Sequence, residues 1–440
     1  MRRTLGTGDF IALVIGGTMG VGPLIGPAAV LQYTDGAVGR ALAAYLLVGL
    51  AALAGALTYA ELGAMHPGRG GMYAHIRDAF GDIPAFVSGW TLFFVLAAGE
   101  IAMVARAAAG YLGQVAGWST NGPALVAAGM IALSAFVNAA GTRAAVGVAR
   151  LGVVVTGTAV VVVGGALVFR GAAAGMDLAP AGTAAPAMGM GWVLGVVAWS
   201  YTGWHYASLT AGETRDPDRS FPVGLAAGVA ALIAAYLLMT VAYSTLAVTD
   251  SAAMPPERGQ AAFRAVLGPA GGGVAGVVYA VALFTLVHVV LFASARVTAA
   301  MAEDGLFFRG LGVIHPRAGT PARAVWAGAA VAVAAVLARV PDHPATSTCV
   351  SLLGWSFVAL GALSIFVFRR RFPDAERPFR VPGYPWTPLV FIGAAGGLAF
   401  HLASTYPGAG VGAAVVLTTG FVGYSFRVSR RRALAGGFHA

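Results

Sequence analysis

The sequence predicts an all-α integral membrane protein of about 12 transmembrane helices, a 5+5 inverted repeat with helices 1 and 6 broken plus two extra C-terminal helices. Three observations predict it. Of 440 residues, 58% are hydrophobic and only 10% charged, with a mean hydropathy of +0.79; a soluble domain carries roughly 25% charged residues. The apolar residues come in long runs, and about 20 of them cross a bilayer as a helix. Two runs carry a break in the middle, and the breaks occupy corresponding places in the two halves of the chain.

In order, the runs are 9–33, 38–65, 83–113, 122–141, 147–169, 188–212, 222–247, 272–302, 323–340, 346–368, 385–404 and 408–427. Polar connectors such as Asp177 to Pro186 and Thr249 to Arg264 separate them. The first run is interrupted by Gly16-Gly17-Thr18-Met19-Gly20-Val21-Gly22-Pro23, the sixth by Trp199-Ser200-Tyr201-Thr202-Gly203. In lipid an unpaired backbone N–H or C=O costs several kcal/mol, so a break persists only where it lines a cavity or is buried in protein. Breaks in the first and sixth runs divide the chain into two five-helix halves, 1–169 and 188–368, then helices 11 and 12 at 385–427 and a tail at 428–440. An odd number of helices per half inverts one half against the other, and paired breaks point to the midplane site of a secondary transporter. The 63 glycines fit helices that pack closely in lipid through small residues.

All 27 basic residues are Arg. With the N-terminus inside, one face collects 21 of them, among them Arg2, Arg3, Arg69, Arg77, Arg296 and Arg369. The other face has Arg40, Arg170, Arg258, Arg264 and Arg339, and Arg106 falls within a span. Arg excess marks the cytoplasmic side, so a multi-pass protein of the cell membrane with both termini cytoplasmic is expected. The net charge of +10 does not point to nucleic acid, because it lies at helix ends rather than on one soluble face. Cys349 is the single cysteine, which excludes an internal disulfide and a cysteine metal cluster. Met-Arg-Arg runs straight into the first span with no A-x-A cleavage site, so that span reads as retained. No metal and no cofactor are expected.

Unwinding near Gly20 and Gly22 frees N–H groups that can point at a carboxylate, aided by the positive end of a half-helix. Glycine lets the backbone approach the ligand closely. Unwinding at Ser200 to Gly203 frees carbonyls that can accept from an ammonium group. Glu100 lies in the middle of the third span, where an ionisable group is costly and marks function. His205 and His288 fall inside spans 6 and 8. Histidine titrates near neutrality, so both join Glu100 as candidates for proton coupling, against the commoner case of a buried neutral histidine with a partner. Glu61, Glu213, Glu303 and Asp304 sit at cytoplasmic helix ends among arginines and read as loop and gate stabilisers.

Four stretches resemble the amino acid–polyamine–organocation (APC) superfamily. They are GGTMGVG in the first span, TYAELGAMHPGRGGMYAHIRDAFG from Thr58 to Gly81, YTGWHYASLTAGETRDPDRSFP from Tyr201 to Pro222, and RVTAAMAEDGLF from Arg296 to Phe307 with GTPARA and RPFRVPGYP behind it. The resemblance implies the inverted-repeat fold of the bacterial leucine transporter, with amino acids or related amines as substrates. It implies that Gly20, Val21 and Gly22 bind the substrate carboxylate, that Trp199, Ser200 and Thr202 bind its amine, and that Trp199 is a gate closing over it. The expected substrate-binding set is Thr18, Met19, Gly20, Val21, Gly22, Glu100, Trp199, Ser200, Tyr201, Thr202 and Gly203. One departure is Pro23-Leu24 where the family often has Ile-Phe; Pro23 removes an N–H from the frayed segment. GEIAMV from Gly99 to Val104 resembles the third helix of arginine–agmatine antiporters, in which Asn replaces Glu100 and faces the distal end of the substrate. Proton-coupled relatives often place a Lys in the fifth helix; Thr156 aligns there and the chain has no Lys, so that mechanism is absent. Thr285 is the mid-span hydroxyl nominated for sodium.

The expected function is secondary active transport of amino acids or related amines by alternating access, as permease or exchanger. A cationic substrate is favoured, with Glu100 as counter-ion. The alternative is a neutral amino acid transporter, importer or exporter, coupled to protons through Glu100 or a membrane histidine. No HExxH run, Cys/His cluster, Ser/His/Asp constellation or P-loop is present, which argues against a membrane enzyme and a primary pump. Both breaks are retained, which argues against a non-transporting sensor. The expected partners are an amino acid or amine and the lipid bilayer, with a homodimer as an option and no nucleic acid.

Overall fold

The computed structural model describes residues 3–65, 68, 70–118, 123–174, 189–246, 255–340 and 345–436. Arg2, Arg69, the connector Asp177 to Pro186 and the first part of the connector Thr249 to Arg264 lie outside the described residues. Within them the chain is helical; the one β-type pairing is an isolated parallel bridge between Leu5 and Thr214.

Apolar length decides the spans. The first broken run is α1 (Thr7–Thr18) and α2 (Gly22–Tyr33), bent by 46° at the break. Then come α3 (Val38–Met65), a short α4 (Met72–Phe80), and a long third span made of α5 (Asp82–Thr91), a π-helical turn (Leu92–Leu96) and α6 (Ala97–Ala116). The first half closes with α7 (Pro123–Ala140) and α8 (Thr142–Ala173). The second opens with the sixth run, α9 (Met190–Ser200) and a 3-10 helix (Trp204–Glu213), followed by α10 (Ser220–Ser244), α11 (Pro255–Leu267), α12 (Gly271–Glu303), α13 (Ala322–Leu337) and α14 (Ala345–Arg371). The last two are α15 (Trp386–Thr405) and α16 (Pro407–Gly436). Among the described residues, nine helices are long and apolar enough to cross a membrane, and ten with the bent first pair counted as one. The other two expected spans are the sixth, split by its break, and α13, of 16 residues.

Three local features differ from the sequence expectation. The connector read as Thr249 to Arg264 is helical from Pro255, because Ala262 and Phe263 form a buried stripe on an otherwise polar helix. The third span is not a uniform α-helix: the π turn inserts four residues before Glu100. The second half of the sixth span is 3-10, not α. At about 2.0 Å rise per residue against 1.5 Å, its ten residues cover about 20 Å.

The ends of the spans are tied by ion pairs. Asp9 accepts the Gly6 N–H at 2.9 Å, capping α1, and its other oxygen pairs with Arg150 of α8 at 2.6 Å. Glu61 takes two hydrogen bonds from Arg369, at 2.8 and 2.7 Å, and a third from the Val381 N–H at 2.7 Å. Asp304 pairs with Arg77 and accepts from the Tyr73 hydroxyl at 2.9 Å. Burial, and then the charge of Asp304, push the Tyr73 phenol up, so it stays a donor at neutral pH.

Candidate substrate site

At the first break the chain leaves α-geometry after Thr18. The Met19 N–H still reaches Ile15 O at 2.7 Å, and the Gly22 N–H turns back to Met19 O at 2.8 Å. The Thr18 hydroxyl donates to Val14 O at 2.7 Å, a second bond to a carbonyl of its own helix. Among the described residues of this segment, the N–H groups of Gly20 and Val21 and the carbonyls of Gly16, Gly17, Thr18 and Gly20 have no backbone partner. In this conformation the Gly22 N–H is engaged by Met19 O and the Thr18 hydroxyl by its own helix. Pro23 falls in the first turn of α2, where its missing N–H has no partner to lose, so the departure from the family pattern restarts the helix rather than disturbing it.

The second break mirrors the first. The Tyr201 N–H reaches Ala198 O at 3.1 Å, and the Thr202 N–H reaches Trp199 O at 3.0 Å. The Thr202 hydroxyl donates to Ala198 O at 3.3 Å, and the Tyr201 hydroxyl to Tyr45 O at 3.1 Å. Ser200 O accepts from the Tyr236 hydroxyl at 2.7 Å. Among the described residues the Thr202 carbonyl is left without a backbone partner. The two breaks meet backbone to backbone. Gly203 has φ +118°, and a Cβ on it would overlap the Gly17 carbonyl oxygen. Only glycine permits both that dihedral and that approach. At their far ends the same two segments pair again, with the Thr4 and Leu5 N–H groups donating to Glu213 O at 2.9 Å.

Three residues past Gly203, the 3-10 helix carries Tyr206. Its hydroxyl donates to Glu100 Oε2 at 2.5 Å, and Glu100 is 7% exposed. The third span is thereby bound to the joint between the breaks, with an acidic group at the contact. His205 lies on the same turn, its ring 4.5 Å from that of Tyr206 and 6.1 Å from that of Trp204.

Of the other nominated side chains, His288 and Trp199 lie away from this joint, whereas Thr285 packs against Gly16 beside it. Nε2 of His288 is 2.9 Å from Ala145 O, and Nδ1 is 3.2 Å from both Ser134 Oγ and Asn138 Nδ2. A neutral imidazole donates once and accepts at the other nitrogen, so this network between α7, α8 and α12 occupies both ring nitrogens. Its neighbour Val289 packs on Gly16 and Gly17, which turns His288 away from the break. Trp199 is 44% exposed and lines a cavity of about 370 Å³ with Trp192, Ser351, Trp355, His401 and Tyr406. No residue of the first break lines that cavity, so in this conformation Trp199 does not cover the joint. The Thr285 hydroxyl donates to Val281 O at 2.8 Å and the Thr156 hydroxyl to Gly152 O at 2.9 Å, both within their own helices.

Whole-chain comparison decides the class, since the model of the family described as amino acid permease matches residues 5–422. The chain belongs to the amino acid permease family. This permease is 24% identical over 408 residues to the serine/threonine exchanger SteT of Bacillus subtilis, covering 92% of this chain and 91% of that one. It is 26% identical over 407 residues to the mouse b(0,+)-type amino acid transporter 1, covering 89% of this chain and 81% of that one. It is 25% identical over 386 residues to the human cystine/glutamate transporter, covering 84% and 75% respectively. The permease is an amino acid transporter of the APC superfamily, embedded in a membrane, and not an enzyme.

Proposed function

We propose that the permease moves amino acids or related amines across the cell membrane by alternating access, as a permease or exchanger. The N–H groups of Gly20 and Val21 hold the substrate carboxylate, the carbonyls of Thr18 and Thr202 hold its ammonium group, and the side chain extends toward Glu100. One observation carries this reading: the breaks touch at Gly17 and Gly203, and the buried Glu100–Tyr206 hydrogen bond joins that contact to the third span. Opposite charges attract strongly in a poorly solvated site, so Glu100 favours a cationic side chain that displaces the Tyr206 hydroxyl. The division into halves 1–169 and 188–368, moving against each other, is supported by the matching breaks. The Arg bias supports cytoplasmic termini.

A second reading has its own support. Tyr206 already gives Glu100 a donor without any cation, and the Bacillus relative is named a serine/threonine exchanger. In that reading Glu100, with His205 beside Tyr206, carries a proton together with a neutral amino acid. Competition of unlabelled amino acids and diamines against labelled L-arginine and L-serine, in proteoliposomes with and without internal counter-substrate, separates the two. Arginine and ornithine as the strongest competitors support the first reading, and serine or threonine with pH-driven accumulation the second. Wild-type protein that moves neither class refutes both.

A further inference from the structure

Two cavities lie side by side against α9 and share Gly195, Trp355, Leu398 and His401 as walls. The deeper, of about 410 Å³, is lined by Leu47 and Ala51 of α3, Leu194 of α9, and Phe391, Ala394 and Gly397 of α15. The shallower, of about 370 Å³, is the one that Trp199 lines with Trp192, Ser351 and Tyr406. Polarity follows depth. Trp192 and Ser347 stand two residues into α9 and α14, and Tyr406 follows the end of α15, so the shallow chamber lies at the ends of the spans. The Arg bias makes that side the outer one. Trp355 is ten residues into α14, about 15 Å along its axis at 1.5 Å per residue, and the deep chamber around it is apolar except for His401. Leu47 is 61% exposed, and Ala394 and Gly397 are exposed too, so the deep chamber opens toward lipid.

None of the described residues lining either chamber carries a carboxylate or a guanidinium. Trp355 is 8% exposed and lines both chambers, yet its indole N–H has no hydrogen-bond partner, and neither has that of Trp192. An indole N–H only donates, and a buried donor left unpaired is costly. The walls therefore call for an uncharged occupant with acceptor oxygens at its outer end and an apolar body reaching inward. We propose that the two chambers form a binding site for an uncharged glycerolipid ester of the diacylglycerol type, entering from the outer leaflet. One acyl chain fills the deep chamber, and the ester and hydroxyl oxygens occupy the shallow one as acceptors for the indole N–H groups. A sterol offers one hydroxyl, whereas the two donors stand at different depths. A phospholipid brings a charged phosphate to walls that hold no cation. Because α9 lines both chambers and Trp199 the shallow one, an occupant holds Trp199 aside and slows transport. Only that consequence rests on the transport reading above; the site itself does not.

The test uses the full chain in phosphatidylcholine nanodiscs that contain a dioleoylglycerol analogue with a diazirine on one acyl chain. After photolysis, adducts are expected in 191–198 and 391–398, competed by unlabelled dioleoylglycerol. Gly397→Leu fills the deep chamber; a Cβ there meets nothing within 4 Å, and leucine suits a helix better than glycine, so the fold is kept and these adducts are lost. Gly396→Leu, equally unobstructed but not lining the chamber, keeps them. Trp355→Phe keeps an aromatic ring without the N–H and should weaken competition by unlabelled dioleoylglycerol about five-fold, the factor one neutral hydrogen bond carries. The proposal is overturned if dioleoyl phosphatidylglycerol or cholesterol competes as well as dioleoylglycerol. Adducts spread evenly over the membrane-facing helices, or wild-type labelling of Gly397→Leu, overturn it too. In proteoliposomes, added dioleoylglycerol should slow uptake of L-serine or L-arginine by wild type and not by Gly397→Leu; unchanged wild-type uptake overturns the effect through Trp199. Wild-type protein that transports neither probe counts against the transport reading alone, and cross-linking still judges the site.

Discussion

Gly203→Ala should open the joint between the two broken helices. The backbone at residue 203 has φ +118°, a region that costs a non-glycine residue about 1–3 kcal/mol. The new Cβ would overlap the Gly17 carbonyl oxygen and come within 3.2 Å of Thr18 Cα. Both obstacles are backbone, so neither can rotate aside as the end of a side chain would. Overpacking of this kind costs about 1–3 kcal/mol. The two effects together come to about 2–6 kcal/mol, which lowers the population of the closed joint by roughly 30-fold or more. The assay is thermal unfolding of detergent-purified protein alongside uptake in proteoliposomes. Gly191→Ala on α9 is the control: its Cβ would meet nothing within 4 Å. The expected result is transport lost and the melting temperature lowered for Gly203→Ala, with Gly191→Ala close to wild type. Wild-type uptake by Gly203→Ala would refute the claim that the breaks meet at this contact.

Other consequences are more local. Glu213 and Arg296 meet at 2.7 Å with side chains 2% exposed, so Glu213→Ala leaves a buried charge and should cost about 3–5 kcal/mol in thermal unfolding; an unchanged melting temperature would contradict this. Trp199 points into a side cavity, not over the joint, so as a gate it must swing. Trp199→Ala should therefore leave equilibrium binding intact and slow transport, and equal losses in both measurements would remove its gating role. A reporter fused after Ala440 should be active on the cytoplasmic side, and activity outside would overturn the Arg-based topology.

Much of the architecture is legible in the sequence because lipid imposes a simple rule. Long apolar runs must be helices, and a glycine-rich interruption must be sheltered by protein. What the sequence hides is set by partners far along the chain. The apolar run Leu92-Phe93-Phe94-Val95-Leu96 reads the same as α or π helix, so the turn before Glu100 leaves no mark. Residues Trp204 to Glu213 likewise have no pattern that separates i→i+3 from i→i+4 bonding. The partner of Glu100 lies 106 residues away, beyond any spacing rule, so Tyr206 was visible only as part of the YTGWHYAS stretch. His288 falls mid-span like a functional histidine, yet Ser134, Asn138 and Ala145 enclose it. The hydroxyls of Thr18 and Thr202 could have been assigned from sequence, since Thr bonds readily to the carbonyl four residues back at a helix end.

Glu100→Gln tests the central claim most directly, because it keeps the shape of the side chain and removes only its charge and titration. The measurement is the substrate panel and its pH dependence, taken on wild type and variant in the same proteoliposomes. With Glu100 as counter-ion, arginine, ornithine and diamines are selectively lost and neutral amino acids retained; with Glu100 as proton carrier, pH-driven accumulation disappears while exchange survives. A Glu100→Gln protein that carries the same substrates with the same pH dependence as wild type would contradict both, and would make the Glu100–Tyr206 bond a structural strut.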